Sequence, residues 1–174
     1  MRNIFAIILL AVLFPVFAIA ADTSSKFTLP SGVELSIIEA SFHKGKFKIE
    51  GCTDKGSVCR INGRIPFGMA FGLPMTYVKS ITITFQGKSI ELCVSDMYNA
   101  WANRPLEYPG KIRYFGGKCI DVKNCQVRGI FSDAAGSFVA EWLIADGRAF
   151  RTVLTDSNDV VDLFMKHIDP PEFD

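Results

Sequence analysis

The sequence lacks the motifs that identify common enzyme classes. It contains no Gly-x-Ser-x-Gly nucleophile elbow, no His-Glu-x-x-His zinc motif and no glycine-rich loop of the phosphate-binding type. Its only histidines are His43 and His167, so few general bases are available to activate a serine or cysteine. We therefore expect a binding protein rather than an enzyme, with no catalytic residue, no cofactor and no metal ion.

The chain also lacks an excess of charge of either sign. Among 174 residues, 19 are Lys or Arg and 18 are Asp or Glu, which gives a formal net charge of +1. Nucleic-acid-binding proteins usually carry a basic excess, because contacts to phosphate supply much of their affinity. We therefore expect no nucleic-acid partner. Charge is nevertheless uneven, since residues 101–128 are mainly basic and residues 146–174 mainly acidic. This pattern indicates either two solvated faces or a dipolar surface that steers a partner.

A long apolar run occurs once, at the N-terminus. Arg2 precedes the apolar residues 4–14, and Ala18-Ile19-Ala20 has the small-x-small pattern of a cleavage site. Residues 1–20 are therefore predicted to be a cleaved signal peptide, which leaves no stable membrane anchor. We expect a periplasmic or secreted protein, with a flexible lead-in over residues 21–31 and a single β-rich domain over residues 32–174.

The remaining sequence is typical of strands joined by tight turns. Asn62-Gly63 and Asp146-Gly147 are strong two-residue hairpin signals, and residues 77–85 alternate apolar and polar side chains. The fold class predicted is mainly β (α+β), an antiparallel sheet or sandwich of about eight to nine strands. Near the C-terminus an amphipathic helix is predicted, capped by Asp156, with five residues on its apolar face: Val160, Leu163, Phe164, His167 and Ile168. A shorter helix is predicted over residues 96–101.

The five cysteines form two close pairs and one remainder. Cys52 with Cys59 and Cys119 with Cys125 bracket turn-like segments, so two local disulfides are predicted. A zinc site is the alternative, although the spacing is not that of a zinc motif. Cys93 is expected to be a free thiol covered by another element. Its alternatives are an intermolecular disulfide or a nucleophile activated by His167, itself expected in the core.

Two segments have the composition of a binding surface. Large side chains alternate with small ones over residues 65–77, which indicates either an edge strand facing the core or an exposed Met-containing patch. The second segment offers side chains typical of interface hot spots, and the predicted partner-binding residues are Tyr98, Trp101, Arg104, Arg113 and Tyr114. Ordinary core packing is the alternative for these aromatic residues.

Several segments of the second half are distinctive. They are Asp-Met-Tyr-Asn-Ala-Trp at 96–101, Arg-Tyr-Phe-Gly-Gly-Lys-Cys at 113–119, Phe-Ser-Asp at 131–133 and His-Ile-Asp-Pro-Pro-Glu-Phe at 167–173. Over roughly residues 90–173 the chain resembles small bacterial proteins that are often exported and have no established activity. The resemblance implies a bacterial source and supplies no catalytic residue.

We expect the function to be protein binding outside the cytoplasm. The most concrete hypothesis is a periplasmic inhibitor or immunity protein that neutralises a secreted toxin or hydrolase. One alternative is a periplasmic small-ligand-binding protein with a pocket lined by Phe and Met. Another is a Cys-dependent hydrolase.

Overall fold

The computed structural model describes residues 22–51, 60–69, 72–101, 113–132 and 136–171. These ranges contain ten β-strands, a short 3-10 helix at Lys44–Lys46 and one α-helix. The strands are β1 Thr23–Thr28, β2 Glu34–Ser41, β3 Ile49–Glu50, β4 Arg60–Ile61, β5 Thr76–Phe85, β6 Lys88–Leu92, β7 Phe115–Asp121, β8 Asn124–Phe131, β9 Phe138–Ala145 and β10 Arg148–Thr155. The helix α1 spans Asn158–Lys166. The predicted mainly β, antiparallel fold with a C-terminal helix is confirmed.

Eight of the strands form two antiparallel sheets. The first sheet has the order β1-β2-β5-β6, the second has the order β10-β9-β8-β7, and β3 pairs with β4 separately. The inner faces of the two large sheets share one hydrophobic core, whose largest members include Leu35, Ile81, Phe131 and Trp142. Trp142 also joins the sheets by a hydrogen bond, because its indole N–H donates to the Cys93 carbonyl at 2.8 Å.

The predicted tight turns are present. Asn62-Gly63, Gln86-Gly87 and Asp146-Gly147 all have positive φ at both central residues, as type I′ turns require. The hairpin at Asn62-Gly63 does not extend, however, since beyond a single bridge from Ile61 to Arg64 the strand β4 pairs with β3. Residues 23–28, predicted as part of a flexible lead-in, form β1 because Phe27 packs against Phe115 of the second sheet.

The predicted apolar face of the C-terminal helix is partly wrong. The helix buries Val161 and Phe164 against Ile130 and Val139 of the second sheet, whereas Leu163 is 54% exposed. Ser157 rather than Asp156 is the N-cap residue. His167, expected in the core, follows the last helical residue and is exposed, because the helix ends at Lys166, two residues before the last predicted helical position, Ile168.

Other elements also differ from the predictions. Residues 96–101 form no helix, because Met97 and Tyr98 instead make isolated β-bridges with Phe67 and Tyr77. Gly116 and Gly117 lie inside β7. Close packing is the reason at Gly116, where an added Cβ would lie 2.2 Å from the Ile168 carbonyl oxygen.

In the described part of the chain, no helix has the length and apolar character needed to cross a membrane. The predicted signal peptide at residues 1–20 lies outside the described residues, as do Cys52 and Cys59.

Candidate functional site

An open cleft of about 490 Å³ lies where the first sheet meets its connecting loops. Its walls include Phe47, from the segment after the 3-10 helix, and Tyr77 at the start of β5. Tyr98, from the loop after β6, completes the aromatic lining. Polar side chains also line it, namely Asn62, Arg64 and Asp96. A cleft of this size with apolar walls and a few polar groups is the usual form of a binding site.

The aromatic walls are held by ring contacts. Phe47 stacks on Phe42 with centroids 4.4 Å apart, and it meets Tyr77 edge-on at 5.4 Å and Tyr98 at 6.5 Å. Burial and, to a smaller extent, the nearby Asp96 carboxylate raise the pKa of Tyr98 to about 12. A phenol is neutral at physiological pH even at its ordinary pKa of 10.0, and the higher pKa of Tyr98 extends that neutral range to more alkaline pH.

Asp96 occupies the polar side of the cleft between two arginines. Its Oδ2 lies 3.4 Å from Arg64 Nη1 and 3.7 Å from Arg151 Nη2. Arg151 is held further by donating to the Ser95 carbonyl. Only 15% of the Asp96 and Arg151 side chains is exposed, whereas 65% of the Arg64 side chain is exposed. The inner pair is therefore largely shielded from solvent, whereas Arg64 is the exposed member of the three.

Asn99 fastens the two loops beside the cleft. Its Oδ1 accepts from the backbone N–H groups of Met75 at 2.8 Å and Thr76 at 3.2 Å, and its Nδ2 donates to the Gly68 carbonyl at 3.0 Å. Gly68 is required here, because its φ is +89° and an added Cβ would lie 1.8 Å from the Tyr98 carbonyl oxygen. The 96–101 segment that carries the bacterial resemblance thus has a structural role in shaping the cleft.

Glu39 is a buried carboxylate that the sequence-based predictions missed. It is 4% exposed, and its Oε1 accepts hydrogen bonds from the Thr76 hydroxyl and from the Trp101 backbone N–H. The available signal was alternation, since Leu35 and Ile37 are inward-facing residues of β2 and the next inward position is Glu39. These hydrogen bonds compensate a buried charge, so Glu39 anchors the loop after β6 to the first sheet.

The segment of residues 65–77 combines buried and exposed side chains. Ile65 is 51% exposed, Leu73 37% and Met75 60%, whereas Phe67 packs against the core. Ala70 and Phe71 lie outside the described residues. The segment is therefore neither a regular edge strand nor a wholly exposed patch. We define the loop-end face as the cleft together with the exposed side chains of Ile65, Leu73 and Met75.

The predicted partner-binding residues lie at different depths. Tyr98 and Trp101 are both 5% exposed, so their side chains belong to the core. Tyr114 is half-buried and packs on Trp101 with centroids 5.7 Å apart. Arg113 is exposed and covers the Tyr114 ring at 4.9 Å. Arg104 lies outside the described residues. A partner contact at Arg113 and Tyr114 stays a prediction.

The cysteines follow the predicted pairing where the structure describes them. Cys119 and Cys125 face each other across the β7–β8 hairpin and form a disulfide. Cys93 is free and exposed rather than covered, because it lies just beyond the end of β6. Its Sγ is 3.8 Å from the Ser95 hydroxyl, whereas His167 follows the helix that packs on the second sheet. This placement gives no support to a Cys93–His167 nucleophile.

Within the described ranges, no group of three or more His, Cys, Asp or Glu side chains is arranged to hold a metal ion. Comparisons with protein families, with curated proteins and with solved structures gave no match.

Proposed function

We propose that this protein is exported and binds a protein partner through the loop-end face. The observation that carries the proposal is the set of exposed apolar side chains at Ile65, Leu73 and Met75, in the segment of the chain between two residues of the cleft lining, Arg64 and Tyr77. Partner surfaces commonly combine an apolar flat area with a pocket that receives one anchor side chain. Methionine suits such a surface because its unbranched side chain adapts to different shapes.

The proposed location is the periplasm or the extracellular space. The Cys119–Cys125 disulfide supports it, because disulfides persist in oxidising compartments and are rare in the cytosol. The predicted signal peptide supports it independently. In such a compartment, an inhibitor or immunity protein that neutralises a secreted toxin or hydrolase is the most specific function consistent with a rigid β scaffold and loops fastened by Asn99.

The test is affinity capture with matched surface variants. The oxidised mature chain serves as bait for secretions and lysates of the source and neighbouring strains, and bound proteins are identified by mass spectrometry. A variant with Leu73→Asp and Met75→Asp should lose a stoichiometric partner, because the charges replace apolar contact area. Phe150→Asp is the control, since Phe150 is similarly exposed but lies on β10 of the second sheet.

Two results would contradict the proposal. One is capture that survives the double substitution but is lost with Phe150→Asp. The other is a bait that retains no stoichiometric protein at all. The melting temperatures of all variants should match the parent chain, because the substituted side chains are exposed.

Small-ligand binding is the second candidate, and the cleft itself favours it. Its volume of about 490 Å³ lies in the range of small-molecule sites, and its walls combine aromatic rings with Asn62, Arg64 and Asp96. Native mass spectrometry of freshly purified protein tests this candidate. A constant added mass that disappears with Tyr77→Asp would favour a small ligand over a protein partner.

A further inference from the structure

Basic residues flank two residues of the cleft lining, Phe47 and Asn62, in the sequence. We define the basic lobe as residues 43–51 and 60–64, whose only acidic residue in these ranges is Glu50. Its basic residues are Lys44, Lys46, Lys48, Arg60 and Arg64. Lys48 and Glu50 form an exposed pair at 2.5 Å and neutralise each other. The lobe therefore keeps a positive charge excess in the two segments that contribute Phe47, Asn62 and Arg64 to the cleft, although the chain as a whole is almost neutral.

The partners of these basic groups leave them available to an anion. Lys44 and Lys46 are exposed in the 3-10 helix. Arg60 donates to the neutral carbonyl of Gly63 at 3.2 Å, so its charge is not compensated by that bond. Exposed ion pairs contribute little to stability, and moving such side chains toward a ligand costs correspondingly little.

Arg64 is placed to change partners. It lies 3.4 Å from Asp96 and keeps 65% of its side chain exposed. If Arg64 turned toward an incoming carboxylate, Asp96 would still lie 3.7 Å from Arg151, which is mostly buried. The exchange would then leave no buried charge unpaired. An unpaired buried charge is the outcome that costs most free energy when an ion pair is broken. A guanidinium also binds a carboxylate through two parallel hydrogen bonds, which adds geometric specificity.

The interior of the cleft suits an apolar group. Phe47 and Tyr77 present ring surfaces, and Val78 and Met97 add aliphatic surface behind them. The Tyr98 phenol is neutral at physiological pH, so it does not repel an acidic ligand. The cleft thus combines apolar surface with the exposed Arg64 guanidinium, in segments of the chain that carry further basic residues.

We propose that the cleft binds an acidic, extended segment of the protein partner, with one apolar or aromatic side chain inserted and its neighbouring carboxylates on the basic lobe. This inference rests on the proposed function and specifies the chemistry of the partner. The charge complementarity also implies fast, salt-sensitive association, since opposite charges steer the encounter.

Selection of peptides displayed on phage tests the inference while the partner itself is unidentified. Random linear peptides are selected on the immobilised, oxidised mature protein, and enriched peptides are synthesised with a fluorescent label. Binding is measured by anisotropy at low and high salt. The enriched peptides should share an aromatic or aliphatic residue flanked by Asp or Glu. Their affinity should fall about tenfold with Arg64→Ala and should fall with rising salt.

Arg148→Ala is the matched control, because Arg148 is an exposed arginine on β10 outside the cleft and the basic lobe. It should leave peptide affinity unchanged. Thermal unfolding of the Arg64→Ala variant should match that of the parent, which separates lost binding from lost folding.

The ways in which the inference can fail are distinguishable. Enriched peptides that lack acidic residues but lose binding with Tyr77→Asp would overturn the acidic-segment inference and leave protein binding at this face intact. Acidic peptides whose affinity changes neither with Arg64→Ala nor with salt concentration would overturn it as well. If no enriched peptide is sensitive to Tyr77→Asp, both the inference and the proposed use of the cleft are wrong.

Discussion

The outer faces of the two sheets contrast sharply. On the first sheet the outward positions carry hydroxyl groups on every strand, namely Ser24, Ser36, Ser80, Thr82, Thr84 and Ser89. The neighbouring Thr84 and Ser89 hydroxyls hydrogen-bond at 2.8 Å, and Lys26 pairs with Glu34 at 2.9 Å. This face is mostly polar, and alternation is consequently visible over residues 80–85 of β5, whereas β2 departs from it at Ile38 and Glu39, where the register shifts.

The outer face of the second sheet is covered over much of its length. At one end Val161 and Phe164 of the helix pack on Ile130 and Val139. At the opposite end Leu143 and Phe150 face each other across β9 and β10 and remain exposed.

The middle of that face holds a shielded ion pair, Arg128 with Glu141 at 2.6 Å, in which both side chains are about 15% exposed or less. The comparison shows that the outer face of the second sheet changes along its strands from apolar and covered, through a shielded ion pair, to apolar and exposed, whereas that of the first sheet carries hydroxyl groups on every strand.

The largest expected loss of stability is that caused by Trp142→Ala, which removes a side chain that joins the two sheets. Trp142 is 1% exposed, and its indole N–H bonds to the Cys93 carbonyl of the opposite sheet. The substitution should lower the free energy of unfolding by about 4 kcal/mol, because it leaves a cavity and an unpaired carbonyl. Chemical denaturation measures this. The control is Phe150→Ala on the exposed part of the same sheet. An equal loss of unfolding free energy in Phe150→Ala would contradict the difference between buried and exposed positions of this sheet.

Removal of the shielded ion pair should have the next largest effect. Glu141→Ala leaves the Arg128 guanidinium beside the helix without its carboxylate, and the free energy of unfolding should fall by about 3 kcal/mol. The matched variant is Glu91→Ala, which removes an exposed glutamate on the first sheet and should change stability by less than about 0.5 kcal/mol. Similar values for the two variants would show that the second sheet's outer face is as solvated as the first.

Alkaline pH should destabilise the loop end of the first sheet. Because the folded-state pKa of Tyr98 is raised to about 12 from its ordinary value of 10.0, the fold favours the neutral phenol. That stability is complete below pH 10 and is lost as pH rises through 12, by about 3 kcal/mol in total. Tyr98→Phe should flatten the pH dependence of unfolding in this window. An unchanged slope in that variant would contradict the assignment.

The smallest effect is expected for the outward hydroxyls. Ser89→Ala removes an exposed hydrogen bond to Thr84 and should change the free energy of unfolding by less than about 0.5 kcal/mol. Val139→Ala, also at an outward position but under the helix and 0% exposed, should cost about 2 kcal/mol. Similar losses of unfolding free energy in Ser89→Ala and Val139→Ala would contradict the distinction between the two outer faces.

Much of the fold could be predicted from local signals. Alternation over residues 77–85 and the turns at Asn62-Gly63 and Asp146-Gly147 depend on neighbouring residues, so they are visible without tertiary structure. The short separation of Cys119 and Cys125 in the sequence predicted their disulfide for the same reason.

The remaining features depend on contacts between distant segments. Asn99 looked like a helical residue because its hydrogen-bond partners, Met75 and Gly68, lie far away in the chain. The helix face was misassigned because Val161 is buried by Ile130 and Val139, which periodicity within the helix does not reveal. The cleft likewise joins residues from 47 to 98, and Tyr98 and Trp101 are buried by that assembly rather than by local pattern.

The segment after the helix contacts the second sheet through its backbone carbonyls. The Arg128 guanidinium donates to the carbonyls of His167 and Asp169, and an added Cβ at Gly116 would lie 2.2 Å from the Ile168 carbonyl oxygen. The position of this segment consequently depends on two residues of the second sheet, the arginine at 128 in β8 and a residue without a side chain at 116 in β7.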